Sequence, residues 1–355
     1  MTGKTQAMNW HRLWQMTGWG WTCMPFSCLF ESGVRLRRIW YQLGAGRIQR
    51  LPVPVISVGN LSVGGTGKTP LIQCLARHFL GQGFRVAVLS RGYKRKTRGV
   101  QVVSKGFGPL LAPKDSGDEP WMLAETLPGA VVIVGEKRIE AGRLAVNLGC
   151  ELCLLDDGFQ HLSLHRDIDL LLFDGERLWG NGRVLPGGPL REPLSAVKRA
   201  HALVITRWPK QGDPIKLLAF LEKRTRAPVF FARHKLLYWV SAKDSARVVL
   251  EEKAVVGFGG IGNPAAFYET LKTLPLDIRA FEEFPDHHWY DEKQIHQLIQ
   301  RAEVLRAEAL VTTEKDWARL SQVWNHRFPL YYLKIALDID HQNRLFRIIQ
   351  QGLEE

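Results

Sequence analysis

Cysteine is scarce. Five in 355 residues (Cys23, Cys28, Cys74, Cys150, Cys153) is an odd number in a long chain, which excludes a disulfide-framed secreted scaffold and suits a reducing compartment. Cys150 and Cys153 form one CxxC, but no second Cys or His pair follows at zinc spacing, and the segment around them reads as a buried strand. Acidic residues are also short, 35 against 48 Lys and Arg, a formal charge of +13. An anionic partner is expected: nucleotide, nucleic acid or acidic membrane. No helix-turn-helix, RNP or zinc pattern supports nucleic acid. Nor is there an internal repeat, a low-complexity linker or a long uninterrupted apolar run. With 45% hydrophobic and 23% charged residues, disorder and a polytopic membrane protein are excluded. The length suits two domains.

The first fifty residues differ from the rest. From Leu13 to Phe30 no charge appears, yet Gln15, Thr17, Gly18, Gly20, Thr22 and Pro25 make a poor spanning helix. Trp10, Trp14, Trp19, Trp21 and Trp40 crowd this region, with Lys4, Arg12, Arg35, Arg37, Arg38, Arg47 and Arg50 against only Glu31. Indoles and cations together favour the headgroup boundary, each cation near an anionic leaflet contributing about 1 kcal/mol. Residues 1–50 are therefore expected to be a membrane-interface segment; the alternative is a Trp-rich helical hairpin packed on the body.

Beyond residue 50, short apolar runs alternate with helical periodicity. Strands are predicted at Val53–Val58, Val86–Leu89, Val131–Val134, Leu152–Leu155, Ile168–Phe173 and Ala202–Thr206, with helices over Leu71–Leu80 and Glu136–Leu148. A second series follows from about residue 228: Val255–Phe258, helix Pro264–Leu274, Leu276–Phe281, helix Glu292–Ala307 and Ala309–Thr312. The expected class is α/β with parallel sheet: a phosphate-loop domain over 51–225 and a smaller α/β domain over 226–355, the boundary soft.

The chemistry is concentrated in Ser62, Val63, Gly64, Gly65, Thr66, Gly67, Lys68 and Thr69, between a predicted strand and a predicted helix. The glycines let successive N–H groups curl around a phosphate, and the helix start adds its positive dipole end. Lys68 would reach the β- and γ-phosphates and the Thr69 hydroxyl would bind Mg²⁺. Ser62 departs from the general pattern, which begins with glycine. The strand ending Asp156-Asp157 offers carboxylates for Mg²⁺ at the same sheet edge, directly or through water; they could instead cap a helix or make a turn. Three Gly/Pro-rich loops resemble acceptor-site loops: Gly117-Asp-Glu-Pro120, Gly180 to Glu192, and Phe284-Pro-Asp-His-His288. The run Arg85, Arg91, Lys94, Arg95, Lys96, Arg98 contains no acid and reads either as a steering surface for an anionic ligand or as a solvated basic loop.

These blocks, from Val53 to about Asp316, closely resemble one family, the tetraacyldisaccharide 4′-kinases of lipid A biosynthesis in Gram-negative bacteria. The matching stretches are Val58 to Pro70, Ser90-Arg-Gly-Tyr93, Gly117 to Pro120, Asp156 to His161, Gly180-Asn-Gly182, Leu185-Pro186, Arg191-Glu192, Gly259 to Pro264, Asp286-His287 and Thr313 to Asp316. Ser or Thr also stands in that family where Ser62 stands here. The resemblance implies transfer of the ATP γ-phosphoryl group to the 4′-hydroxyl of a tetraacyldisaccharide 1-phosphate, giving lipid IVA, by a peripheral or monotopic enzyme at the cytoplasmic face of the inner membrane. It implies two α/β/α domains joined by a two-stranded linker and closing on the nucleotide. By similarity, Asp118 is the base toward the hydroxyl and His287 orients it; Glu119, beside that base in sequence, is expected to be a further magnesium contact. The competing reading is a membrane-associated phosphate-loop NTPase switch with no lipid acceptor.

Overall fold

The computed structural model describes residues 14, 22–208 and 212–354. Lys4, Trp10, Arg12, Trp19 and Trp21 of the expected membrane-interface segment lie outside them. In chain order the elements are α1 (Met24–Gln42), β1 (Val55–Asn60), α2 (Lys68–Gly81), β2 (Val86–Ser90), β3 (Gln101–Lys105), α3 (Pro113–Ser116), α4 (Asp118–Thr126), β4 (Val131–Val134), α5 (Arg138–Asn147), β5 (Leu152–Asp156), β6 (Ile168–Asp174) and β7 (Ala202–Thr206). There follow α6 (Pro214–Glu222), β8 (Val229–Ser241), β9 (Arg247–Val248), β10 (Lys253–Gly259), α7 (Pro264–Lys272), β11 (Leu276–Glu283), α8 (Glu292–Val304), β12 (Ala309–Thr313), α9 (Glu314–Leu320), β13 (Leu330–Ile339) and α10 (Gln342–Glu354).

The strands form one continuous sheet in the order β11-β10-β12-β13-β8-β7-β6-β1-β5-β2-β4-β3, with β9 beside β8. The predicted α/β class with a mostly parallel sheet is what the chain adopts. Pairing is parallel except at β13/β8, at β3/β4 and at β8/β9. Every residue of β1, β2, β4, β5, β6 and β7 is buried, as continuous apolar runs require when helices cover both faces. The sequence reading passes over β8 and β13, where Arg233, His234, Lys235 and Lys334 interrupt the apolar pattern and burial is mixed.

That long antiparallel pair sets the architecture. β8 continues the parallel order from β7 and then pairs antiparallel with β13, so the strands beyond it run the other way. The loops after β10, β11 and β12 thereby come to face those after β1 and β5, and the site forms where they meet. The C-terminal helix returns to the first half: Leu345, Phe346 and Ile349 join the core beneath β1 and β6, and the Phe346 ring stacks on His78 at 3.6 Å.

Among the described residues no helix is long and apolar enough to cross a membrane. In α1 only Ser27 is buried: its hydroxyl donates to the Val184 carbonyl (3.1 Å) and accepts from the Gly187 N–H (2.9 Å). Trp14 is buried and its indole N–H donates to the Pro186 carbonyl at 3.0 Å. Met24, Phe26, Leu29, Phe30, Leu36, Ile39, Trp40 and Leu43 stay exposed, Leu29 and Leu43 by 74% and 79%.

Candidate active site

The phosphate loop joins buried β1 to α2. Its last residue, Gly67, is left-handed at φ +82° and offers no side-chain cap, so the first N–H groups of α2 have no side-chain partner and face the loop. The geometry is held from several sides. Asn60 Nδ2 donates to the carbonyls of Ser62 (2.8 Å) and Gly64 (3.4 Å), and its Oδ1 accepts from Lys68 Nζ at 3.3 Å. Thr206 Oγ1 donates to the Thr66 carbonyl at 2.9 Å, while Arg207, ion-paired with Asp174, donates to the Gly65 carbonyl at 2.9 Å. Val63 N–H donates to the Pro189 carbonyl at 2.9 Å, so the Gly180–Glu192 stretch is a wall of the loop. A cavity opens there between Gly64, Gly65, Thr66, Asp174, Arg177 and Pro189.

Asp156 ends β5 beside this loop and Asp157 follows it, and their surroundings separate them. Asp157 is paired with Lys68 at 3.4 Å and with Arg191 at 2.8 Å; burial alone would raise its pKa, but those cations hold it below the usual range. Asp156 is buried, accepts from Ser90 Oγ at 3.0 Å through Oδ2, and its Oδ1 has no protein partner. Burial, then the Glu119 charge, push its pKa up to about 6. A buried carboxylate oxygen without a donor, in a negative surround, suits a divalent cation. The buried Thr66 hydroxyl likewise has no partner. Thr69 is buried at the start of α2.

Both halves build the opposite wall. Asp118 and Glu119 open α4, where the helix dipole favours carboxylates. His287 lies in the loop after β11, with φ +60° and its N–H donating to the Gly260 carbonyl at 3.1 Å. Across 169 residues of sequence, His287 Nδ1 and Asp118 Oδ2 meet at 2.8 Å. Burial would raise the Asp118 pKa, but the bond to His287 and the charges of His287, Arg319 and Lys315 outweigh it and hold it at about 2. The same bond raises the His287 pKa against the opposing effect of burial. Tyr93 packs edge-on to His287, ring centres 5.5 Å apart. Glu119 pairs with Lys315, whose charge, more than any other group, lowers its pKa.

The residues singled out from sequence thus converge, with two differences of detail. Arg95 does not face solvent with the basic run: its guanidinium turns inward to Glu136 at 2.7 Å, leaving Lys94, Lys96, Arg91 and Arg98 exposed. Lys315 falls in the matching stretch Thr313 to Asp316 but carries no role in the sequence reading, which passes over Arg319. The Thr313 hydroxyl that caps α9 was a readable helix-start signal, but nothing local shows what the cations on that helix would face.

Similarity to known proteins agrees. The family model described as tetraacyldisaccharide-1-P 4′-kinase matches residues 19–354. A tetraacyldisaccharide 4′-kinase of Syntrophus aciditrophicus is 37% identical over 344 residues, covering 93% of this chain and 92% of that protein. One from Geobacter sulfurreducens is 40% identical, covering 86% and 85%. The crystal structure of LpxK from Aquifex aeolicus in complex with ATP superposes with a TM-score of 0.76 at 33% identity, covering 94% of this chain and 99% of that one. Matched over nearly its whole length by the family model and by these relatives, the chain belongs to the tetraacyldisaccharide-1-P 4′-kinase family.

Proposed function

We propose that this protein is a tetraacyldisaccharide 4′-kinase that transfers the γ-phosphoryl group of ATP to the 4′-hydroxyl of a tetraacyldisaccharide 1-phosphate, yielding lipid IVA and ADP. The observation that carries the acceptor chemistry is the Asp118–His287 contact of 2.8 Å, made between the first residue of α4 and the loop after β11. The loop amides of Gly64 to Lys68 and the Lys68 ammonium hold the phosphates in line. Asp118, ionised at neutral pH, accepts the hydroxyl proton as the new P–O bond forms. His287 holds that carboxylate and the hydroxyl in one orientation; such positioned proton transfer contributes about 10²–10⁴-fold. Mg²⁺ accompanying ATP would be held by Asp156 and Thr69 and would neutralise charge on the phosphates. Asp157 and Glu119, already engaged by Lys68, Arg191 and Lys315, serve better to set those cations than as metal ligands.

The chain divides into two lobes, residues 51–225 with α10 added by its packing, and the remainder from 226; the His287–Asp118 contact is that of the closed form, and opening about β8/β13 would part the pair and admit substrate, with closure excluding water. Residues 1–50 are the membrane-interface segment of a peripheral or monotopic enzyme on the cytoplasmic face of the inner membrane. In support, α1 binds the body through Ser27 and leaves its large apolar residues outward, the form of a helix lying in the headgroup plane.

The test is incubation of detergent-solubilised protein with γ-labelled ATP, Mg²⁺ and tetraacyldisaccharide 1-phosphate, beside Asp118→Ala. Label should pass to lipid in the wild type and fall at least a hundredfold in the variant. Label released only as inorganic phosphate would instead establish an NTPase without a lipid acceptor.

A further inference from the structure

Arg319 is only 2% exposed, and a guanidinium is so buried only when its donors are engaged. Its Nη2 donates to Asp316 Oδ1 at 2.7 Å and its Nε to the Lys315 carbonyl at 3.2 Å. Its Nη1 points the other way, to 3.7 Å from Asp118 Oδ2. Asp316, with no exposure at all, accepts from the Gly260 N–H at 2.9 Å, from the Tyr290 hydroxyl at 2.7 Å and from the Thr313 hydroxyl at 2.6 Å. The Gly260 carbonyl in turn receives the His287 N–H. This loop has little slack: a Cβ on Gly260 would meet His288, Pro285 and Tyr290 atoms at 3.1 Å.

We propose that Arg319 is a positioning residue for phosphoryl transfer: one buried guanidinium faces Asp118 directly and, through Asp316, anchors the loop that presents His287. The inference rests on the kinase reading and on the roles given there to Asp118 and His287. Buried as it is, Arg319 acts through Asp118 and Asp316. It keeps the two partners at hydrogen-bond distance, and an ångström of misplacement costs about a hundredfold in rate. Lysine would retain a charge beside Asp316, but a single ammonium lacks the fork needed to serve both carboxylates.

The experiment measures kcat, KM for both substrates and equilibrium ATP binding for wild type, Asp118→Asn, Arg319→Met, Arg319→Lys and Asp316→Asn. Arg319→Met should lower kcat about a hundredfold, with KM for ATP and ATP affinity within about threefold of wild type. Arg319→Lys should recover about tenfold of that loss, and Asp316→Asn should lose about tenfold. If Arg319→Met does not fold, the two milder variants carry the test. A folded Arg319→Met with near-wild-type kcat, a Lys variant no better than Met, or a loss of ATP binding parallel to kcat would overturn the inference. Wild type that labels no lipid, or Asp118→Asn with full activity, would overturn the reading beneath it instead.

Discussion

Asp156 stores a cost that the nucleotide-free protein bears, and its removal should stabilise the fold while abolishing function. Burial, reinforced by Glu119, raises its pKa from 3.8 to about 6; about two pH units at 1.36 kcal/mol each place ~3 kcal/mol against the ionised form in the folded state. The sign follows from proton counting. Below about pH 4 the carboxyl is protonated in both states and the cost is absent; between about 4 and 6 the unfolded chain ionises first, so stability falls as pH rises and the full cost stands above about pH 7. Asp156→Asn keeps the shape, and the amide oxygen can still accept from Ser90, so the variant should gain ~3 kcal/mol at pH 8, on the order of 4 °C in Tm for a chain of this length. The assay is thermal unfolding at pH 5, 6, 7 and 8 in chelator without nucleotide, the gap between variant and wild type widening with pH. Adding ATP and Mg²⁺ should reverse the order, because only the wild type keeps the carboxylate for the cation. An Asn variant less stable than wild type at pH 8, or a gap that ignores pH, would refute the reasoning.

Two further outcomes concern the lipid. Lys94 and Lys96 changed together to Ala should raise the apparent KM for tetraacyldisaccharide 1-phosphate about tenfold or more, at about 1 kcal/mol per cation near an anionic surface, and leave KM for ATP alone; equal effects on both would sink the steering role. Arg95, engaged with Glu136, is not part of that set. Phe26→Ser with Leu29→Ser should weaken co-sedimentation with phosphatidylglycerol vesicles on the order of a hundredfold, since each buried apolar side chain supplies at least about 1.5 kcal/mol, while turnover of detergent-dispersed substrate persists. Unchanged vesicle binding would remove α1 from the membrane contact.

Much of this molecule is legible one segment at a time. The apolar runs of β1, β2, β5, β6 and β7 have no alternation because both faces are covered, and that local fact alone places a parallel sheet. Gly64, Gly65, Gly67 and Lys68 between a strand and a helix describe a phosphate cradle with little reference to the rest of the chain, since a turn, a helix dipole and a lysine act over a few residues. The CxxC of Cys150 and Cys153 reads correctly as core for the same reason: both residues are buried, Cys153 in a central strand.

What depends on distance was decided by the tertiary structure. The antiparallel meeting of β8 and β13 turns one half of the sheet to face the other, and no periodicity in either strand announces it, because charged residues break the pattern of both. Asp118 and His287 were named from family resemblance, but that they touch, and that Arg319 and Asp316 stand behind them, follows only from bringing together residues 169 and more positions apart. The division between Asp156 and Asp157 is of the same kind: two adjacent carboxylates, identical in sequence terms, differ because Lys68 and Arg191 pair with one, while burial and the Glu119 charge dominate at the other. Local sequence specifies backbone conformation and residue chemistry; burial and charge neighbours, which set what that chemistry can do, exist only once the chain has closed on itself.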